Sequence, residues 1–229
     1  MKKIIIILLS LNFLLALDYA LEDVNDTSPT SGEIVGPSYF QAQEQVISIN
    51  YFGWETWGGW IGIFAQLCDL SNSNSWDTDK AILIGVGKGL GGDSGLNNMT
   101  NESGVNSPFV QDINGSVWED FLGDANAPRK QIVLLDSDLN SRYIFQYSGG
   151  SLNNAEVAEL LNAINLLVDE ASIMLGDMNG DENLNVLDVI ILVNMAIGNS
   201  EIDLNGDMNG DEGINILDVV LLVNIILSN

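Results

Sequence analysis

The sequence predicts an α/β domain followed by a small, separate module built from two loop–helix units. Three observations carry this prediction. Strand-like apolar runs alternate with helical patterns between residues 40 and 172, the order that produces a layered α/β fold. The segment GDMNGDENLNVLD at 176–188 returns as GDMNGDEGINILD at 206–218. Each copy runs straight into an apolar helical pattern.

Taken in order, the chain begins with Lys2 and Lys3 ahead of an apolar run from Ile4 to Leu17, broken by Ser10 and Asn12. The run has the length of the apolar core of an export leader and is short of the ~20 residues of a membrane span. The leader is expected over residues 1–20, which makes the protein an extracellular or cell-surface one. Ala16 and Ala20 are the small residues at which the leader could end, and neither stands in a small-x-small pattern. An uncleaved leader is the one membrane attachment the sequence offers.

Residues 21–37, LEDVNDTSPTSGEIVGP, are polar with Pro and Gly and have the composition of a linker. Gln45 to Phe52 alternates apolar and polar residues as a half-buried strand does. Trp60 to Leu70 has helical apolar spacing. Ala81 to Val86 and Ile132 to Leu135 read as buried strands, and Tyr143 to Tyr147 as a strand after the turn DSDLNS. Asn153 to Glu170 reads as an amphipathic helix, with Ser151 or Asn153 as its cap and Glu156 and Glu159 in its early turns.

Composition narrows the function. The 229 residues carry 32 Asp plus Glu against 7 Lys plus Arg, a formal net charge of -25, so a nucleic acid or an anionic membrane is repelled and a cation is attracted. There is no histidine, which removes Ser-His-Asp and Cys-His catalysis and imidazole zinc sites. The single cysteine, Cys68, excludes an intramolecular disulfide.

The repeated loops carry the clearest chemistry. Asp177, Asn179, Asp181, Asn185 and Asp188 hold positions 1, 3, 5, 9 and 12 of a twelve-residue loop, and Asp207, Asn209, Asp211, Asn215 and Asp218 hold the same positions in the second copy. Oxygen donors at these offsets, with the position-7 carbonyl of Asn183 or Gly213, curl round a hard cation with 6–8 ligands. Calcium is the expected occupant, one ion per loop; magnesium prefers tighter octahedral sites. From 175 to 229 there is no Lys or Arg, so the empty module is expected to be largely unstructured and ion binding to be coupled to folding.

An EF-hand has a helix on both sides of its loop, but the second loop here follows the turn-forming GNSEIDLNG, 198–206. With Asp at position 12 and apolar Leu184 and Ile214 at position 8, residues 175–229 resemble a type I dockerin, a small all-α module of paired F-hand loop–helix units. The resemblance implies a cohesin-type partner contacting positions 10 and 11, here Val186, Leu187, Ile216 and Leu217. The family often has hydroxyl or small residues there, so cohesin specificity does not carry over. Glu182 and Glu212 depart from the usual position-6 glycine, which should cost about 1 kcal/mol if the backbone is left-handed there. The helices from Val186 to Ile197 and Ile216 to Leu227 are apolar nearly all round, so each has a second surface to bury, against a partner or against the rest of the chain.

VISINYFGWETWGGWIGIFAQL, FVQDINGSVWEDFLG and KQIVLLDSDLNSRYIFQY resemble, over residues 40–172 (domain bounds 38–172), a thioredoxin-like redoxin domain, the last two pieces being most similar to the branch related to selenoprotein P. Members of that family place Cys-x-x-Cys after the first strand, where Thr56-Trp57-Gly58-Gly59-Trp60-Ile61 has no sulfur. Pro128 also stands two residues too early for the expected cis-proline. The domain is therefore expected to be redox-inactive, with Cys68 a small buried hydrophobe. GKGLGG, 87–92, reads as a loop because no helix follows; Trp54, Trp57 and Trp60 with Tyr51 and Phe52 read as core. The sequons at Asn98, Asn101 and Asn114 mean little if the source is bacterial, as the dockerin resemblance implies. Together these features predict a secreted protein that attaches a redox-inactive thioredoxin-like domain, through calcium, to a cohesin-bearing scaffold or cell surface in polysaccharide breakdown. Two enzymatic alternatives remain: a glycoside hydrolase using carboxylates among Glu55, Asp69, Asp112, Glu119 and Asp120, or a thiol oxidoreductase working through Cys68.

Overall fold

The computed structural model describes residues 16–53, 58–89, 104–172, 174–181 and 183–228, with the backbone alone for 58–61. The apolar core of the expected leader, Trp54, Glu55 and Trp57, the side chain of Trp60, the second half of GKGLGG, the sequons at Asn98 and Asn101, and Glu182 lie outside the described residues. The chain divides into two compact units, Met1–Ala171 and Ser172–Asn229.

The first unit is built on a five-stranded sheet of order β5-β4-β3-β6-β7. Its strands are β3 (Ile47–Phe52), β4 (Ala81–Gly87), β5 (Phe109–Gln111), β6 (Gln131–Leu135) and β7 (Ser141–Gln146). β3, β4 and β5 run parallel, while β6 is antiparallel to β3 and β7 to β6. Helices α2 (Gly58–Asn72) and α4 (Asn154–Ser172) cover one face. Ile63, Phe64, Leu67 and Cys68 of α2 and Leu160, Ala163, Ile164, Leu167 and Val168 of α4 form the stripes that meet Ile47, Ile49 and Tyr51 of β3. Asn153 caps α4 by accepting from Ala155 N and Glu156 N, while Glu156 Oε2 accepts from Asn153 N, a reciprocal capping box.

The other face is covered by α1 (Pro37–Gln41), α3 (Ser116–Leu122) and the chain from Leu17 to Val35. This corrects one expectation. Residues 21–37 are not a linker: β1 (Leu21–Glu22) pairs antiparallel with β2 (Ile34–Val35), and Asp23 bridges to Val110 on β5. Ahead of them, within the span 1–20 expected as a leader, Leu17 packs on this face and Tyr19 is buried in it. The polar composition that looked like a linker is a buried network. Asp23 accepts from Asn25 N, Phe109 N (3.0 Å each) and Thr30 Oγ1 (2.8 Å), and Asn25 Nδ2 donates to Ser107 O at 2.8 Å. The segment thus lies along β5 and covers what would otherwise be an open sheet edge.

β3 likewise departs from the half-buried strand expected from its alternation, being buried at all six positions. Ser48 and Asn50 face the second layer, where Asn50 Oδ1 accepts from the Tyr19 hydroxyl at 2.8 Å and Asn50 Nδ2 donates to Ser48 Oγ at 2.9 Å. The polar residues of the pattern are satisfied inside the protein instead of by water.

The second unit contains α5 (Val186–Ala196), a single 3₁₀ turn at Leu204–Gly206 and α6 (Ile216–Ser228). Leu192, Val219 and Leu222 form its buried centre, flanked by Met178, Leu184, Met208 and Ile214. The two repeats interlock at glycine. A Cβ at Gly176, ahead of the first loop, would lie 2.7 Å from Leu222 Cδ1, and one at Gly206, ahead of the second, 2.4 Å from Leu192 Cδ1. Each loop therefore begins beneath a leucine of the other repeat's helix. Among the described residues no helix is long and apolar enough to cross a membrane.

Replacing Asp23 by Ala strands Phe109 N–H and Asn25 N–H and should lower the unfolding free energy by about 2–4 kcal/mol, read as a shifted urea midpoint. A second outcome concerns pH. Burial raises the Tyr19, Tyr51 and Tyr147 hydroxyls above the ordinary value of 10.0, with Glu159 and Glu156 adding to the effect at Tyr147. The unfolded chain therefore ionises first, and their contribution is complete below pH 10 and lost as pH rises beyond it. The Tyr147 hydroxyl is buried with no hydrogen-bond partner, so Tyr147→Phe should leave stability at neutral pH unchanged or raise it by about 1 kcal/mol while lessening the alkaline loss. Thermal melts across the pH range check both effects.

Candidate functional site

The two loops of the second unit share one pattern of hydrogen bonds, drawn from the side-chain oxygens at positions 1, 3 and 5. Asp177 Oδ1 accepts from Gly180 N and Asp181 N, and Asp207 Oδ1 from Gly210 N and Asp211 N. Asn179 Oδ1 and Asn209 Oδ1 accept from the Asp181 and Asp211 amides, at 2.9 and 2.8 Å. Asp181 Oδ1 and Asp211 Oδ1 accept in turn from Asn183 N and Gly213 N. The side-chain oxygens at these positions are thus engaged with the amides of their own loop. Glu212 has φ 64, so position 6 does take the left-handed backbone that glycine usually supplies.

Positions 9 and 12 tie each loop to its helix. Asn185 accepts from Leu187 N and Asn215 from Leu217 N, capping α5 and α6. Asp188 and Asp218, in the first turns of those helices, are both 0% exposed. Asp188 closes its loop: Oδ1 accepts from Met178 N and Asn179 N near one end and Oδ2 from Asn185 N near the other. In the second loop Met208 N donates to Gly206 O, leaving Asp218 with only the Asn215 N bond to Oδ2. Asp218 Oδ1 is buried without a partner.

That orphaned oxygen tests whether the loops suit a cation. A buried carboxylate oxygen with no donor costs several kcal/mol, and residues 172–229 contain seven Asp, three Glu and no Lys or Arg to relieve it. Among the described residues no three Asp, Glu, Cys or His side chains gather tightly enough to hold a metal by themselves. The predicted donor set is broader than that, since it includes Asn amide oxygens and a backbone carbonyl. An all-oxygen set with an unpaired buried carboxylate oxygen is of the chemistry that suits a hard divalent cation.

The apolar positions ahead of the loops' buried carboxylates point outward. Val186 and Leu187 are 64% and 53% exposed, and Ile216 and Leu217 are 65% and 58% exposed. Ile190 and Val220, one turn further on, are also exposed. The predicted contact residues therefore form two equivalent apolar patches, one at the start of each helix.

In the first unit the candidates for chemistry among the described residues do not assemble. Cys68 is fully buried against the sheet, and burial, first of all, raises its thiol pKa, opposed by hydrogen bonding to Ser107. It offers neither the access nor the thiolate of a redox cysteine. Asp112 is buried, accepting from Gly115 N and Trp118 N to fix the start of α3. Asp69 lies on α2, over one sheet face, whereas Glu119 and Asp120 lie on α3 over the other, so these carboxylates cannot flank one sugar. Tyr51 and Phe52 are core residues on opposite faces, and no cis peptide occurs among the described residues.

Comparison with solved structures decides the fold of this unit. The chain is similar to an uncharacterized conserved protein from Geobacillus kaustophilus, at TM-score 0.51 and 17% identity over 68% of this chain and 80% of that one. It is similar to a hypothetical protein from Sinorhizobium meliloti 1021, at TM-score 0.52 and 15% identity over 68% and 82%. A protein of Neisseria meningitidis provisionally described as a thioredoxin matches at TM-score 0.50 and 11% identity over 73% and 95%. The fold is thioredoxin-like. At these identities the likeness concerns the fold alone. No protein-family model and no curated protein matches the chain. Sequence reasoning missed the network of Tyr19, Asp23 and Asn25 in the thioredoxin-like unit; the one signal for it was the apolar-polar alternation continuing past the leader.

Alkylation of Cys68 should be at least about tenfold slower in the native chain than in urea, and the native chain should not reduce insulin disulfides. Rapid labelling under native conditions would contradict the burial.

Proposed function

We propose that the second unit binds two calcium ions and thereby orders a surface that docks on a cohesin-type module, attaching the thioredoxin-like domain to a scaffold or cell surface outside the cell. The observation that carries this reading is the pair of buried carboxylates, Asp188 and Asp218, at the heads of two equivalent apolar patches in a unit without a cationic side chain. Asp177, Asn179, Asp181, the Asn183 carbonyl, Asn185 and Asp188 would hold one ion. Asp207, Asn209, Asp211, the Gly213 carbonyl, Asn215 and Asp218 would hold the other. Bound calcium supplies charge neutralisation and a fixed loop; it takes part in no reaction here.

The protein residues do the rest. Position 12 couples the ion to the helix, because the same Asp that faces the loop accepts from the position-9 amide and thereby sets the first turn. Val186, Leu187, Ile216 and Leu217 then stand at fixed places as apolar contacts for a partner. The exported, scaffold-bound setting fits polysaccharide breakdown, with the thioredoxin-like domain serving as a carried module without dithiol chemistry.

Titration of the full chain with Ca²⁺ in a calorimeter should give saturable heat for two sites, and helical circular dichroism should fall in EGTA. Asp218→Ala should weaken the second site at least about tenfold. A cohesin module should capture the chain in calcium and release it in EGTA, and Leu187→Asp with Leu217→Asp should abolish capture while leaving both calcium sites intact. No heat at millimolar Ca²⁺ would defeat the reading. Calcium binding without capture by any cohesin would reduce the unit to a structural clip.

A further inference from the structure

We infer that the export leader is removed by hydrolysis of the Ala16–Leu17 peptide bond, so that the mature protein begins at Leu17. The inference rests on the reading of the protein as exported, and it decides between the two small residues, Ala16 and Ala20, at which the leader could end. Water is added across the bond, leaving the carboxylate of Ala16 on the leader and the α-ammonium of Leu17 on the mature chain.

Residues 17–20 belong to the folded domain. Leu17 N donates to Leu139 O at 2.9 Å, a bond that the new ammonium would retain and strengthen by its charge. Asp18 Oδ1 accepts from Ser38 N at 3.1 Å, at the start of α1. The Tyr19 ring is buried against Phe121, with centroids 5.7 Å apart, and its hydroxyl satisfies the buried Asn50 on the central strand. The backbone is closely fitted as well: a Cβ at Gly36 would lie 1.7 Å from Tyr19 O. Glycine at 36 is what lets this strand of chain lie down.

A cut after Ala20 would discard all of this. It would leave Asn50 Oδ1 without its donor in a buried layer and open the site occupied by the tyrosine ring. Local sequence does not separate the two alanines, since neither Leu14 nor Asp18, in the third place before each cut, is a small residue, so the folded residues decide. Ala16 itself is exposed.

The full chain should be expressed with its leader in a secreting bacterial host and the exported product identified by N-terminal sequencing and intact mass. A product beginning at Leu17 is expected. A product beginning at Leu21, or at any other residue, overturns the assigned bond while leaving export intact. An unprocessed chain retained with the cells overturns the removable leader as well. Stability supplies a readout independent of export. The chain 17–229 should melt normally, whereas the chain 21–229 should melt about 10 °C lower or fail to fold, and Tyr19→Phe in 17–229 should lose about 3 °C. Equal melting of 17–229, 21–229 and the phenylalanine variant would show that Tyr19 is dispensable and remove the structural ground for the assignment.

Discussion

The second unit depends on one constraint: two carboxylates, Asp188 and Asp218, are buried at the starts of its two helices in a stretch with no positive side chain. Burial of an uncompensated charge is among the most expensive arrangements a protein can hold. Asp188 is offset in part by three backbone N–H donors, and Asp218 by one. The proposed calcium, seated among the remaining loop oxygens, would offset what these donors leave, and would then be a structural component as much as a ligand. The same constraint explains the module's composition: a lysine within reach would satisfy the carboxylates permanently and remove any dependence on the ion.

The thioredoxin-like unit solves a different problem. Its central strand is flanked on both sides and covered on both faces, so Ser48 and Asn50 must find partners inside the fold. The chain before β3 supplies them through Tyr19, and with Asp23 and Asn25 it also closes the β5 edge. None of these supports involves sulfur. The hydrophobic layers and the buried polar networks hold the unit together without any contribution from a disulfide.

What was legible in the sequence follows from these two cases. β4, β6, α2 and α4 were readable because their apolar residues repeat at a period that one face dictates: Ile63, Phe64, Leu67 and Cys68 on α2, or Leu160, Ile164 and Leu167 on α4. The two loops were readable as a repeat because the same residues recur at the same offsets thirty positions apart. β3 was misjudged as half-buried because alternation cannot tell a polar residue facing water from one facing Tyr19. Residues 21–37 were misjudged as a linker for the same reason: Asp23, Asn25 and Thr30 have the composition of solvated chain, yet Asp23 and Asn25 bond backbone groups 86 and 82 residues away, and Thr30 bonds the Asp23 carboxylate. β5 and α3 are short, and α3 is set by Asp112, whose role is visible only once its amide donors are in place.

The interlocking of the repeats bears on how the second unit would respond to an ion. Leu222 of α6 covers Gly176 at the entrance to the first loop, and Leu192 of α5 covers Gly206 at the entrance to the second. Gly176 N also donates to Asn205 O, just ahead of the second loop. On the proposed reading, an ion that fixed the first loop would set α5 through Asp188, and one turn later Leu192 would press on the start of the other loop. The reverse path would run through Asp218, α6 and Leu222. The two sites would then share the free energy of ordering. Two loops encoded by near-identical text are thereby joined, by two leucines and two glycines, into one folding unit.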